Sequence, residues 1–328
     1  MAFFISQAMF FIIPLLIVAL AGMFSEKSGT VNIALEGLMV IGAFVGTFFV
    51  NRMQAIGFLD GAPQFLLIIS LLLAGIGGAV FSALLGFLAI NMRANQVIGG
   101  TALNLLAGAL AIFLARQLQE NNAVQISYNK EVFRLKSGFL EDIFPNINYI
   151  FFDQAYITLY IGIIILIIST IVIYKTKFGL RLSACGEHPE AAQSVGINVY
   201  RYRWTGVIIS GFLGGLGGLV YALPISVSFE GTVAGYGFLA LAVLIFGQWK
   251  PMRILLAAIF FGMFKALSVT FFSFDWISNL IEQYESVIPF GTIFRILPYL
   301  ATMVVLAISS KKSKAPKASG IPFNFKGN

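Results

Sequence analysis

Residues 69–81 read Ile-Ser-Leu-Leu-Leu-Ala-Gly-Ile-Gly-Gly-Ala-Val-Phe, and residues 209–221 read Ile-Ser-Gly-Phe-Leu-Gly-Gly-Leu-Gly-Gly-Leu-Val-Tyr. Seven of the thirteen positions are identical, and Ala74/Gly214, Ile76/Leu216 and Phe81/Tyr221 are near matches. The offset of 140 residues is close to half of the 328-residue chain. Neither stretch carries a charge, and each sits in an apolar run long enough for a bilayer core, which takes about 20 residues per helix. Small residues recur four apart at Gly211/Gly215, Gly214/Gly218 and Ala74/Gly78. Losing side-chain bulk at that spacing lets two helices approach backbone to backbone, which is how helices associate where no water drives them together. These two stretches predict a membrane helix bundle with an internal repeat.

Composition points the same way. The chain is 59% hydrophobic and 11% charged, with a mean hydropathy of +0.90, whereas a soluble domain carries about 25% charged residues. Thirty-three Phe, eleven Tyr and three Trp would overfill a water-soluble core. Soluble enzymes, nucleic-acid binders and secreted disulfide scaffolds are excluded; Cys185 is the single cysteine and permits no intrachain disulfide. A transmembrane β-barrel would alternate over about ten residues rather than run unbroken. The expected fold is all-α and polytopic. Apolar segments fall at about 8–24, 31–50, 64–90, 96–118, 156–174, 205–223, 233–247, 254–272 and 292–309, nine in all. Segment 233–247 is short enough to be a broken span. The first Lys or Arg is Lys27, so the N-terminus lacks the basic region of a cleaved signal and the first segment reads as a retained span.

Charge orients the segments. The loop 175–204 holds Lys175, Lys177, Arg181, Arg201 and Arg203 against Glu187 and Glu190, and the basic tail 311–328 holds five lysines and no acid. Basic loops stay in the cytoplasm. The loop 119–155 carries Glu120, Glu131, Glu141, Asp142 and Asp153, and fits the outside. Nine spans, with the N-terminus out and the C-terminus in, satisfy these assignments within one transmembrane domain, residues 1–310. The two Gly-rich copies then run in opposite directions, the mark of an inverted-topology repeat and of transporters.

Chemistry-bearing motifs are sparse. No Gly-x4-Gly-Lys-Ser/Thr loop exists to hold ATP; His188 is the sole histidine, so no metal site of the usual kind is expected, and no catalytic residue stands out. The richest stretch runs from Phe178-Gly-Leu-Arg181 to Gly186-Glu187-His188-Pro189-Glu190-Ala191-Ala192-Gln193-Ser194-Val195-Gly196. Pro189 and Glu190 suit the first turn of a short helix, and Gly196 suits its stop. This stretch resembles the Glu-Ala-Ala-x3-Gly loop of ABC-importer permeases, although the usual Ile-x-Leu-Pro ending is not at its expected distance. The resemblance implies a coupling helix seated on an ATPase subunit through Glu187, Pro189, Glu190, Ala191, Ala192 and Gly196.

Three further segments extend it. Gly29-Thr-Val-Asn32-Ile-Ala-Leu-Glu36-Gly37, Ala94-Asn95-Gln96-Val97-Ile98-Gly99-Gly100-Thr101-Ala-Leu-Asn104, and Gly237-Phe-Leu-Ala-Leu-Ala-Val-Leu-Ile-Phe-Gly247-Gln-Trp-Lys-Pro251 are similar to signatures of the branched-chain amino acid, sugar and nucleoside permease family of ABC importers. Over residues 25 to 305 the variants are most similar to the nucleoside branch, whose binding lipoproteins are of the basic-membrane-protein type. The Gly-Gly-Ile-Asp-Leu-Ser version usual in the ribose branch is absent. The resemblance implies a transport subunit of a bacterial inner-membrane importer and no cofactor in this chain, with ATP and Mg²⁺ on a separate ATP-binding subunit. It also implies a second, non-identical permease and an extracytoplasmic binding lipoprotein. Sugars and branched-chain amino acids stay open as cargo. An ion-coupled carrier would more often place several carboxylates inside the membrane, where this chain offers essentially Glu36. Polar groups inside spans usually face a cavity or a neighbouring helix. Thr101 and Asn104, three apart on one helix face, together with Gln96 are candidates for the pathway. Asn32 and Glu36 are expected to brace a helix break. Lys265 receives no role.

Overall fold

A computed structural model describes residues 2–59, 61–119, 123–136, 145–153, 155–270 and 315–323, with single positions at 296, 300 and 303. The chain begins with α1 (Ala2–Lys27), α2 (Leu35–Ala55), α3 (Pro63–Gly86, continued by a wider turn through Asn91) and α4 (Gln96–Leu118). After β1 (Ile126–Ser127) and a short α5 (Pro145–Asn148) come α6 (Ile157–Lys175), α7 (Lys177–Glu187) and α8 (Pro189–Ser194). Next are α9 (Val199–Ile225), β2 (Ser228–Phe229), α10 (Tyr236–Phe246) and α11 (Pro251–Thr270). Among the described residues, seven helices are long and apolar enough to cross a membrane: α1, α2, α3, α4, α6, α9 and α11. They match seven of the expected segments, and α10 matches the short one at 233–247. The expected segment at 292–309 lies outside the described residues, apart from three single positions.

α9 is the hub. Its glycines let three helices close on it at once. A Cβ on Gly215 would lie 2.9 Å from the Cα of Gly78 in α3, one on Gly218 would lie 2.8 Å from the Cα of Met39 in α2, and Gly217 abuts Val18 of α1. Contacts below about 3.5 Å between such groups leave no room for a side chain, so only glycine permits this packing. Directions follow from who meets whom. Ala74 of α3 faces Gly215 while Gly86 faces Trp204, so the two Gly-rich copies pack on each other antiparallel. Val18 of α1 faces Gly217, and Phe24 faces Gly206, so α1 is also antiparallel to α9.

At one end of the bundle the loops interlock. β1 pairs antiparallel with β2, with Ile126 opposite Phe229. The Tyr128 hydroxyl donates to the carbonyl of Ala222 at 2.9 Å, and Lys130 donates to that of Pro224 at 3.0 Å. These bonds reach carbonyls of the last turn of α9, where helical partners run out; the Ala222 carbonyl also accepts from Ser226 N at 3.3 Å. The opposite end carries α7, α8 and the segment 315–323.

Candidate translocation and coupling sites

Two helices start inside the bundle rather than at its ends. After α1, residues 28–34 run non-helically, with Ser28, Thr30 and Asn32 fully buried. Gly29 turns the chain at φ +96°, a left-handed value that suits a residue without Cβ. α2 then begins alongside the middle of α9, where Leu38 meets Gly214. At 1.5 Å per residue, Gly214 is roughly 22 Å along α9 from its start. On the other side, the chain returns from β2 through Gly231 and Gly235, at φ +79° and +78°. α10 begins where Gly237 lies against the backbone of Glu36. α10 and the turn after it run beside α1, from Tyr236, whose hydroxyl donates to the Phe11 carbonyl at 2.9 Å, to Trp249, whose indole donates to Glu26 at 2.6 Å.

A helix beginning in a bilayer exposes unpaired N–H groups that no water can satisfy. Glu36 answers this at α10: Gly235 N donates to Oε1 at 2.8 Å and Gly237 N to Oε2 at 2.6 Å. One carboxylate in the first turn of α2 thus caps the start of α10, placing negative charge at two positive helix ends. Asn32 joins the break to the hub. Its Nδ2 donates to Ser210 Oγ at 2.8 Å, and its Oδ1 accepts from Ala34 N at 3.1 Å.

α4 supplies a row of side chains along the same non-helical strip. Gln96 Oε1 accepts from Val31 N at 2.7 Å. Asn104 Oδ1 accepts from Gly37 N at 2.8 Å, and its Nδ2 donates to the Ile33 carbonyl at 2.9 Å. Asn104 therefore uses both ends of its amide to hold backbone. Thr101 is exposed, and its hydroxyl donates within its own helix, toward Val97 and Ile98 at 3.0 Å. The structure brings Asn32, Glu36, Gln96 and Asn104 together around the breaks and leaves Thr101 facing outward.

The short-helix end forms a second site. Pro189 opens α8, Glu190 is in its first turn, and Ala192 is buried. The helix stops in a Schellman turn: Gly196 N donates to Gln193 O at 2.9 Å and Ile197 N to Ala192 O at 3.0 Å, with Gly196 at φ +81°. Glu187, His188, Glu190 and Ala191 are exposed on this face. Beneath it Cys185 is fully buried, and burial pushes its thiol up to about 11. Gly211, Gly214, Gly215 and Gly218 lie in the hub contacts.

Sequence reasoning did not single out Ser210, Arg203 or the segment 315–323. A signal existed for the second break, since Gly29-Thr30-Val31 and Gly231-Thr232-Val233 precede the two interrupted helices alike.

A multi-pass bundle with helices interrupted inside its body defines a membrane transport protein. Residues 4–306 match the family described as the branched-chain amino acid transport system permease component, and the chain belongs to it. It is 38% identical over 311 residues to the nucleoside ABC transporter permease protein NupC of Lactococcus lactis, covering 94% of this chain and 93% of that one. It is 40% identical over 314 residues to the guanosine ABC transporter permease protein NupQ of Bacillus subtilis, covering 94% and 92%. It is also 26% identical over 321 residues to a second Lactococcus lactis protein, the nucleoside ABC transporter permease protein NupB, covering 93% and 81%.

Proposed function

We propose that this chain is a nucleoside-conducting permease subunit of an ATP-driven importer. The observation that carries the mechanism is the Glu36 carboxylate bridging the starts of α2 and α10 inside the bundle. Non-helical backbone at that depth is tolerated only where it is buried or lines a passage. Glu36 spends its charge on backbone N–H groups, so it organises the passage rather than meeting the cargo. The relatives named for nucleosides and guanosine support the cargo class.

The face around Glu190 to Gly196 receives a separate ATP-binding subunit, which holds ATP and Mg²⁺, and this face is cytoplasmic. The β1–β2 end then faces outward and receives a binding lipoprotein. ATP favours one of two bundle arrangements, and α8 is where that bias enters. Similarity to both NupC and NupB of one organism supports a pairing of two different permease chains. Residues 1–310 act as one domain in the bacterial inner membrane. An inverted repeat, with the N-terminus out and the C-terminus in, is supported by the antiparallel packing of α3 on α9, the helices that carry the two Gly-rich copies.

The test is uptake of labelled uridine by cells with and without this gene. Loss on deletion, blocked in wild-type cells by excess adenosine but not by ribose or leucine, is the expected result. Competition by ribose or leucine instead would move the cargo to sugars or amino acids and keep the importer.

A further inference from the structure

Segment 315–323, part of the basic tail, is folded against the short-helix end. Ala318 N donates to the Gly186 carbonyl at 2.8 Å, joining the segment to the end of α7. Gly320 N donates to the Gly29 carbonyl at 3.3 Å, joining it to the break before α2. Phe323 is buried in one apolar cluster with Cys185, Ala192 and Val199, so it touches the set of side chains beneath α8. Arg203 of α9 crosses underneath. It is 1% exposed, donates Nη1 to the Ile321 carbonyl at 3.0 Å, and stands 5.8 Å from the Phe323 ring centroid. Among the described residues no carboxylate forms an ion pair with it, and its Nε and Nη2 have no hydrogen-bond partner. A buried cation without an acid is costly, and this one is held in place by backbone and ring contacts of the segment. Between the segment and α8 is a cavity of about 460 Å³ lined by His188, Pro189, Glu190 and Lys317. The segment therefore meets α7, the break and the side chains beneath α8 at discrete points rather than filling the space beside α8.

On the reading of the chain as an importer subunit, we propose that residues 315–323 are a positioning strap that carries displacement of α8 to the break at Gly29. From there the contacts continue through Asn32 to Glu36 and the start of α10. A route of this kind needs contiguous contacts and an element that both ends bias; the strap adds a link between the side chains beneath α8 and the break, beside the direct approach of Gly186 to Lys27 and Gly29. Phe323 and Arg203 are its positioning residues.

The experiment uses the full complex in lipid vesicles. Phe323→Ser detaches the strap, read as maleimide labelling of Cys185 at least about tenfold faster, because exposure restores the thiolate. The variant keeps its ATPase subunit and basal hydrolysis, while uridine moved per ATP falls at least about fivefold, and Phe323→Leu restores it. Slow Cys185 labelling in Phe323→Ser, or fast labelling with uridine per ATP unchanged, overturns the proposal. Loss of the ATPase subunit also overturns it, since the strap would then be part of the docking face. A second arm needs no cargo. In a Cys185→Ala chain, Thr232→Cys reports the exposed residue three positions before Gly235. Trapping the complex with ATP and vanadate changes its labelling rate at least about threefold, and Phe323→Ser abolishes that change. No change in the intact chain, or a change that survives Phe323→Ser, sinks the strap even if the cargo proves to be a sugar.

Discussion

α9 and α4 are alike as stretches of sequence and opposite as parts of the structure. Their best membrane windows have mean hydropathies of 1.8 and 2.0, yet 78% of the α9 window is buried against 22% of the α4 window. Side-chain size separates them. α9 carries glycine at 206, 211, 214, 215, 217 and 218, which are distributed around the helix and admit α1, α2 and α3 together. The buried residues of α4 are Gln96, Gly100, Leu103, Ala107, Ala111 and Ala115, a single stripe at helical spacing. Leu105 and Ile98, off the stripe, are 78% and 69% exposed. Hydropathy says that a segment enters the bilayer; how many of its faces are small says how many neighbours it has. α4 compensates for its one narrow face with polar bonds, since Gln96 and Asn104 fasten backbone that would otherwise be unpaired.

The comparison breaks first at Gly215. Gly215→Leu drives a side chain into the backbones of Ala74 and Gly78, and overpacking between backbones exceeds the about 3 kcal/mol of ordinary core crowding. Loss of the monodisperse complex in detergent chromatography is expected; a normal peak would show that α9 is not the hub. Asn104→Asp tests the bonds on α4. It keeps an acceptor for Gly37 N but loses the donor to the Ile33 carbonyl, leaving a carbonyl unpaired for about 1–3 kcal/mol. A clear fall in melting temperature with slower uptake is expected, and unchanged values would make the α4 bonds incidental. Leu105→Ala marks the small end. An exposed position changes stability by less than about 0.5 kcal/mol, so melting temperature and uptake should match the parent; a large loss would place another protein chain on that face of α4.

Several elements were readable because they follow from local chemistry. α4 begins and ends where the apolar run does, at Gln96 and Leu118, and Asn95 caps it by accepting from Val97 N and Ile98 N. α8 starts at Pro189 and stops at Gly196, as proline without an N–H and glycine without a Cβ dictate. The short segment at 233–247 is an interrupted helix because eleven residues of α10 cannot cross a bilayer core. The expected span at 31–50 was less well bounded. Residues 31–34 are apolar enough to pass for helix, but they are held out of it by Gln96 and Asn104, more than sixty residues away. No local property of Val31 or Ile33 announces that.

The candidate site divides the same way. Glu36 and Asn32 stood out because a carboxylate and an amide in apolar surroundings must find partners. That Glu36's partners are Gly235 and Gly237, some two hundred residues on, is a fact of packing. Arg203 looked like one more basic residue of a cytoplasmic loop, and only its burial beneath Ile321 and Phe323 distinguishes it from the exposed Arg201.

By itself, the sequence determined that the chain is a membrane helix bundle, where most helices lie, that two Gly-rich helices would pack closely, and where the short helix facing α7 would start and stop. These follow from hydropathy, side-chain volume and backbone preference, which act over a few residues. The tertiary structure alone decided that α9 is central and α4 peripheral, that one carboxylate caps a helix from the other half of the chain, and that residues 315–323 fold back onto α7 and the side chains beneath α8. Each of those is a hydrogen bond or contact between segments distant in sequence, where the energy depends on which backbone group arrives opposite which side chain.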